Sequence, residues 1–158
     1  FALAEDLGVS RKEADDYMNQ SFATYSGVKR YMEEIVKTAK KRGYVATIMG
    51  RRRYLPELES PVFNIRAFGE RVALNAPIQG SSADIIKLAM NNTARRLRAE
   101  KRKAKLILQI HDELIIEAPL AEAEPIKTLL REEMENVMRL SVPLTVDVAA
   151  GKNWAEAK

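Results

Sequence analysis

The sequence has no cysteine and a single histidine, His111, among its 158 residues. Those two shortages exclude disulfides, cysteine-ligated zinc or iron–sulfur centres and every motif that needs two histidines, so any metal must be held mainly by oxygen. Long apolar runs are missing too. Nothing approaches the roughly 18 to 20 residues of a membrane span, and no charged-then-apolar leader precedes a small-residue cleavage site. The expectation is a soluble protein that stays in the cytoplasm, with no membrane partner. What is present is enough apolar material for a real core, 46% of residues, in a length that fits one domain or one lobe of a larger one.

Charge is unevenly spread. Residues 1–111 hold 21 Lys/Arg against 12 Asp/Glu, and residues 112–158 hold 5 against 10. Net +9 upstream and −5 downstream is what a basic surface for a polyanion would give. A soluble protein with uneven charge accounts for the same numbers.

The sequence opens at Phe1 in a helical pattern, with Leu3 and Leu7 on one face and Gly8 at the stop position, as a fragment would. Ser10 and Glu13 have capping-box spacing ahead of Ala14, Met18 and Phe22. From Gly27 to Arg42 the stripe Val28, Met32, Ile35, Val36 and Ala39 predicts a second helix, with cations on its last turn and Gly43 as terminator. Residues 44–55 read as a hairpin about Met49-Gly50. A helix is then predicted to about Ala76, broken by Pro77 and Gly80, and restarted from Ser81/Ser82 to about Lys103. Two β-rich runs flank His111-Asp112, a helix is expected over about Glu122 to Arg139, and Val142–Val148 reads as a last strand. Helices first, then an antiparallel sheet backed by helices, is an α+β architecture.

Three constellations carry chemistry. Asp112 and Glu113 are adjacent carboxylates at the turn between apolar strands; a solvated turn would carry an Asp there, and so would a hard-cation site, because Mg²⁺ takes one or two carboxylates together with waters and phosphates. Arg71, Asn75 and Gln79 recur every four residues, which suits either a plain polar helix face or a row of donors for the minor-groove acceptors shared by all base pairs. Among the basic groups, Arg51 and Arg53 fall on the same side of a hairpin strand and are the better phosphate candidates, while most of the run from Arg95 to Lys105 reads as solvated surface. Tyr44 and Tyr54 suit hairpin packing more than base stacking.

Gly50-Arg-Arg-Arg-Tyr-Leu-Pro56, then Glu70-Arg-Val-Ala-Leu-Asn-Ala-Pro-Ile-Gln-Gly-Ser-Ser-Ala-Asp-Ile-Ile-Lys-Leu-Ala-Met90, then Gln109-Ile-His-Asp-Glu-Leu114, resemble the family A DNA polymerases in residues, order and spacing. The resemblance runs through essentially the whole chain. It implies that residues 1–60 are the end of the fingers with a basic hairpin, and 61–158 the C-terminal palm with the His-Asp-Glu hairpin. It also implies that Asp112 is the second metal-binding aspartate with Glu113 as supporting acid, that His111 sits near the primer terminus, and that Arg71, Asn75 and Gln79 line the minor groove.

The implied activity is template-directed DNA synthesis in replication and repair, in a bacterial, nucleoid-associated setting. The partners would be primer-template DNA, deoxynucleoside triphosphates and the missing N-terminal part of the same polymerase, and the cofactor two Mg²⁺ ions. The family's first metal-binding aspartate and its nucleotide-gripping helix belong upstream of Phe1. The fragment is therefore expected to be inactive alone and to self-associate. A non-catalytic duplex-binding module is the rival reading, and a single-subunit RNA polymerase a more distant one.

Overall fold

The computed structural model describes residues 2–157; Phe1, where the fragment reading placed the opening of the chain, and Lys158 lie outside the described residues. Two compact units divide the chain, one of residues up to Ala46 with Gly50–Pro77, the other of Thr47–Met49 with residues from Ile78 onward.

In the first unit, α1 (Ala2–Leu7) stops at Gly8, whose φ of +65° is cheap only for glycine. The capping box opens α2 (Arg11–Thr24) as expected: Ser10 Oγ accepts the Glu13 N–H, and the Glu13 carboxylate accepts the Ser10 N–H. Those bonds hold the Glu13 carboxyl below its ordinary value. Helix α3 (Ser26–Arg42) ends at Gly43, left-handed with φ +74°. Strands β1 (Tyr44–Ala46) and β2 (Arg52–Tyr54) pair antiparallel, Tyr44 opposite Tyr54 and Val45 opposite Arg53. Below the hairpin, Leu55 and Leu58, the latter in a 3-10 turn over Pro56–Glu59, join Ala39, Val45 and Ala73 in one apolar cluster. Leu55 is 1% exposed, and burying such a side chain stabilises by about 1.5–3 kcal/mol. Gly69 lets the next helix approach closely, since a Cβ there would lie 3.1 Å from the Leu58 nitrogen and from the Glu57 Cβ.

That next helix, α4, runs unbroken over Phe63–Ala99. The predicted break at Pro77 and Gly80 does not occur. Proline removes one N–H and crowds the carbonyl four residues back, a cost of about 3 kcal/mol, but Pro77 and Ala73 are both buried and packing holds the helix through it. Ser81 and Ser82 are therefore interior helix residues, not a start. The helix also ends before the predicted Lys103. Lys101 turns left-handed at φ +51°, its N–H bonds the Arg98 carbonyl, and the Arg102 N–H bonds the Leu97 carbonyl, a Schellman closure with lysine where glycine is usual.

In the second unit, β3 (Lys105–Ile110) and β4 (Glu113–Glu117) form the second antiparallel hairpin, and α5 spans Ala123–Glu135, shorter than the predicted Arg139. Ile86, Ala89, Leu114 and Leu130 make one core cluster, and Leu97, Ala104, Ile126 and Leu129 another. The strand expected over Val142–Val148 is absent. Alternate residues Leu144, Val146 and Val148 are half-buried, as in a strand, yet the Val146 N–H is taken by the Glu135 carboxylate at 3.0 Å and its carbonyl by Arg131 Nε at 3.4 Å. Its ladder groups are satisfied by α5 side chains instead of a neighbouring strand. The α+β class stands, with two two-stranded sheets among the described residues. Among the described residues no helix is long and apolar enough to cross a membrane.

Candidate functional site

The carboxylate turn is built by β3 and β4. Ile110 faces Glu113, leaving only His111 and Asp112 to reverse the chain. A loop that short needs positive φ, and His111 supplies it at +50°, a conformation that costs a non-glycine residue on the order of 1 kcal/mol. Gln109 offsets this: its Nε2 donates to the His111 carbonyl at 2.6 Å, bracing the turn from the adjoining strand. A bulge at Ile107 shifts the register between Leu106↔Ile116 and Leu108↔Ile115, re-aiming the residues that follow it. Leu114, 8% exposed, seats β4 on α4 and α5. The result is a pair of exposed carboxylates, Asp112 and Glu113, next to an exposed His111, on a hairpin whose strands are mostly apolar.

Two adjacent hard-oxygen donors open to solvent suit Mg²⁺, which uses one or two carboxylates and leaves the other positions to water and phosphate. Among the described residues no three His, Cys, Asp or Glu side chains cluster to hold an ion, so the pair is a partial donor set of that kind.

Arg71, Asn75 and Gln79 all lie on α4 and all are exposed, while Ala73 and Pro77 between them are buried. Helical geometry advances the face by about 40° per four residues and spreads the three over about 12 Å. The Arg71 guanidinium lies 6.0 Å from the Phe68 ring centroid.

On the first hairpin, Arg52 stacks over Tyr44 at 4.7 Å, and the Tyr44 and Tyr54 rings are 5.7 Å apart, so the aromatics pack on each other across the strands. Arg53 opposes the buried Val45, on the other face from Arg52, yet is exposed; Arg51 precedes the ladder, which starts at Arg52.

The basic run after Arg95 is less available than its charge implies. Arg96 bonds Glu100 at 2.8 Å, Glu132 at 2.7 Å and Glu133 at 3.1 Å, tying α4 to α5, and Arg102 bonds Glu100 at 2.7 Å. The Glu100 bond, then Glu132 and Glu133, raise the Arg96 pKa, and the same Arg96 contact, then Arg102, lowers that of Glu100. Arg95 bonds the Asn92 side chain. Sequence reasoning did not single out the Gln109 brace, this Arg96 network or Ser81, whose hydroxyl accepts the Ile48 N–H at 2.9 Å. The run of acids along α5 is the signal that could have pointed to the second.

Comparison with known proteins decides the family. The sequence pattern of DNA polymerase family A matches residues 1–156. The chain belongs to DNA polymerase family A. It is 52% identical over its whole length to DNA polymerase I of Bacillus subtilis (strain 168), covering 18% of that protein, and 51% identical to DNA polymerase I of Geobacillus stearothermophilus, again covering 18%. Among solved structures it is similar to the POL domain of Pol1 from M. smegmatis, in a complex with DNA primer-template and dNTP, with a TM-score of 0.96 and 44% identity over 99% of this chain and 28% of that one. The chain thus spans under a fifth of the length of these curated family A relatives. The resemblance carried by the three sequence blocks is borne out at the level of family and fold.

Proposed function

We propose that this chain is part of a DNA polymerase I type enzyme that extends a primer 3′-hydroxyl on a DNA template in replication and repair, inside the bacterial cell. The single observation that carries this is the exposed Asp112-Glu113 pair on a braced hairpin turn, in a chain of family A. The solved Pol1 domain that it resembles holds DNA primer-template and dNTP, which supports the same partners here. Residues 1–60 are proposed as the end of the fingers and 61–158 as the C-terminal palm; the rest of the active site, including a further metal-binding carboxylate, would come from elsewhere in the same polymerase.

In the reaction the primer 3′-oxygen attacks the α-phosphorus of a deoxynucleoside triphosphate, and the bond to the bridging oxygen of pyrophosphate breaks. Asp112, supported by Glu113, would hold Mg²⁺, which when bound lowers the pKa of the attacking hydroxyl and neutralises charge on the leaving oxygens. The chain's own residues position. Arg71, Asn75 and Gln79 offer donors over about 12 Å, some three to four base steps at 3.4 Å each, to acceptors that every correct pair presents in the minor groove. His111 would face the primer end, while Arg51 and Arg53 neutralise backbone phosphates.

Replacing Asp112→Ala in the full-length protein is expected to slow primer extension about 10³-fold, several kcal/mol of lost charge stabilisation, with duplex affinity little changed. Extension at the original rate would remove the catalytic assignment and leave a duplex-binding module.

A further inference from the structure

Between Asp84 and Glu100 the chain carries four cations, Lys87, Arg95, Arg96 and Arg98, and no acid. The structure divides them. Arg96 is committed to Glu100, Glu132 and Glu133, and Arg102, just past the helix end, to Glu100. Lys87, Arg95 and Arg98 are exposed, and among the described residues none of the three is paired with a carboxylate; Arg95 bonds the neutral Asn92 amide. At about 100° per residue, Lys87, Asn91, Arg95 and Arg98 fall within about 80° of one another around α4 and span about 16 Å along it. The core lies on another side of the helix, where Ala89, Thr93 and Leu97 are buried. Arg95 and Arg98, three residues apart on one face, repel each other, and this stretch of α4 has no acid to relieve them. An anion repeating along a line would relieve that repulsion and meet each donor in turn.

We propose that Lys87, Arg95 and Arg98, with the Asn91 amide between them, form a phosphate-binding row that holds one strand of duplex DNA over about five nucleotides, at about 3.4 Å each. The inference rests on the reading of this chain as part of a DNA polymerase. Duplex is favoured over single-stranded DNA because residues 85–99 include no Phe, Tyr or Trp on which unpaired bases could stack. A straight helix face also matches a backbone of regular spacing. The row reads no sequence; it adds affinity that salt weakens.

The test uses the full-length protein carrying Lys87→Gln, Arg95→Gln and Arg98→Gln together, since glutamine has nearly the helix propensity of lysine and arginine. Equilibrium binding to a long duplex with a primer end, and to a single strand of equal length, is measured across a salt series, beside thermal unfolding and primer extension at saturating DNA. The slope of log K against log salt on the duplex is expected to fall by about two to three, roughly one for each lost phosphate contact. The melting temperature does not fall, because like charges have been removed from one face, and the saturated extension rate is unchanged. Arg102→Gln, which removes a charge already paired with Glu100, leaves the duplex slope as it was. An unaltered duplex slope in the triple variant overturns the proposal, and so does a loss confined to the single strand. An equal loss per charge removed in Arg102→Gln would assign the effect to net charge and overturn it too. Absence of salt-dependent duplex binding by the unsubstituted protein would instead strike the polymerase reading beneath it, and the inference with it.

Discussion

The two hairpins are built alike and charged oppositely. The first carries its charge along the strand, with Arg52 and Arg53 in β2 and an apolar Ile48-Met49 tip; the second has mostly apolar strands and carries Asp112 and Glu113 at its tip. Their turns differ in the same sense. Gly50 takes φ +80° with open space where a Cβ would sit, while His111 takes φ +50° and is braced by Gln109. A glycine turn whose side chains need not be aimed suits a strand that offers cations to a repeating backbone. A strained, braced turn suits one where two carboxylates must be held in place. The contrast agrees with the proposal that the acidic hairpin is the place for chemistry and the basic one for holding.

The comparison can be broken in graded steps. The largest effect after Asp112→Ala is expected from Leu114→Ala, which unseats β4 from α4 and α5: about 2–5 kcal/mol of lost stability in denaturant unfolding of the full-length protein, with extension falling in parallel. Gln109→Ala removes the brace and is expected to slow extension up to about tenfold through a mis-set turn, with duplex affinity unchanged; an equal loss of affinity would argue that the turn holds DNA instead. Gly50→Ala meets no atom within 4 Å, so its cost is backbone strain alone. About 1–2 kcal/mol is expected, seen as easier proteolysis of the first hairpin, with extension unaffected at saturating DNA.

The smallest effect is one of pH. Bonds from Arg96 and Arg102 hold the Glu100 pKa below its unfolded value. Its contribution is thus fully present above the ordinary carboxylate pKa of about 4.3 and is lost as pH falls through the lower folded value. Replacing Arg96→Met should flatten the acid limb of a stability-against-pH curve below about pH 4.3, and an unaltered limb would show that the network adds nothing.

Much of this was legible from the residues because local rules fixed it. The Ser10/Glu13 box, Gly8 and Gly43 as stops, and both hairpins follow from capping, left-handed glycines and two-residue periodicity. Asp112 and Glu113 stood out because acids interrupt apolar strands. All but one of the misses share a cause, partners distant in sequence. Pro77 breaks a helix by local rules, but its burial carries α4 through. Val142–Val148 has strand composition, but the backbone groups of Val146 within it are taken by Glu135 and Arg131. Ser81 looks like a cap until Ile48 is seen bonded to it. The helix end at Ala99 needed Lys101 in a conformation that lysine seldom takes.

The most direct test of the division between chemistry and holding compares two substitutions in the full-length protein, Asp112→Asn and Arg53→Ala, by single-turnover extension and duplex binding side by side. The account predicts that Asp112→Asn lowers the extension rate at saturating duplex by orders of magnitude and leaves the affinity and its salt dependence intact. Arg53→Ala should weaken binding, reduce the salt slope by about one, and leave the saturated rate unchanged. Matching losses of rate and affinity in both variants would contradict it.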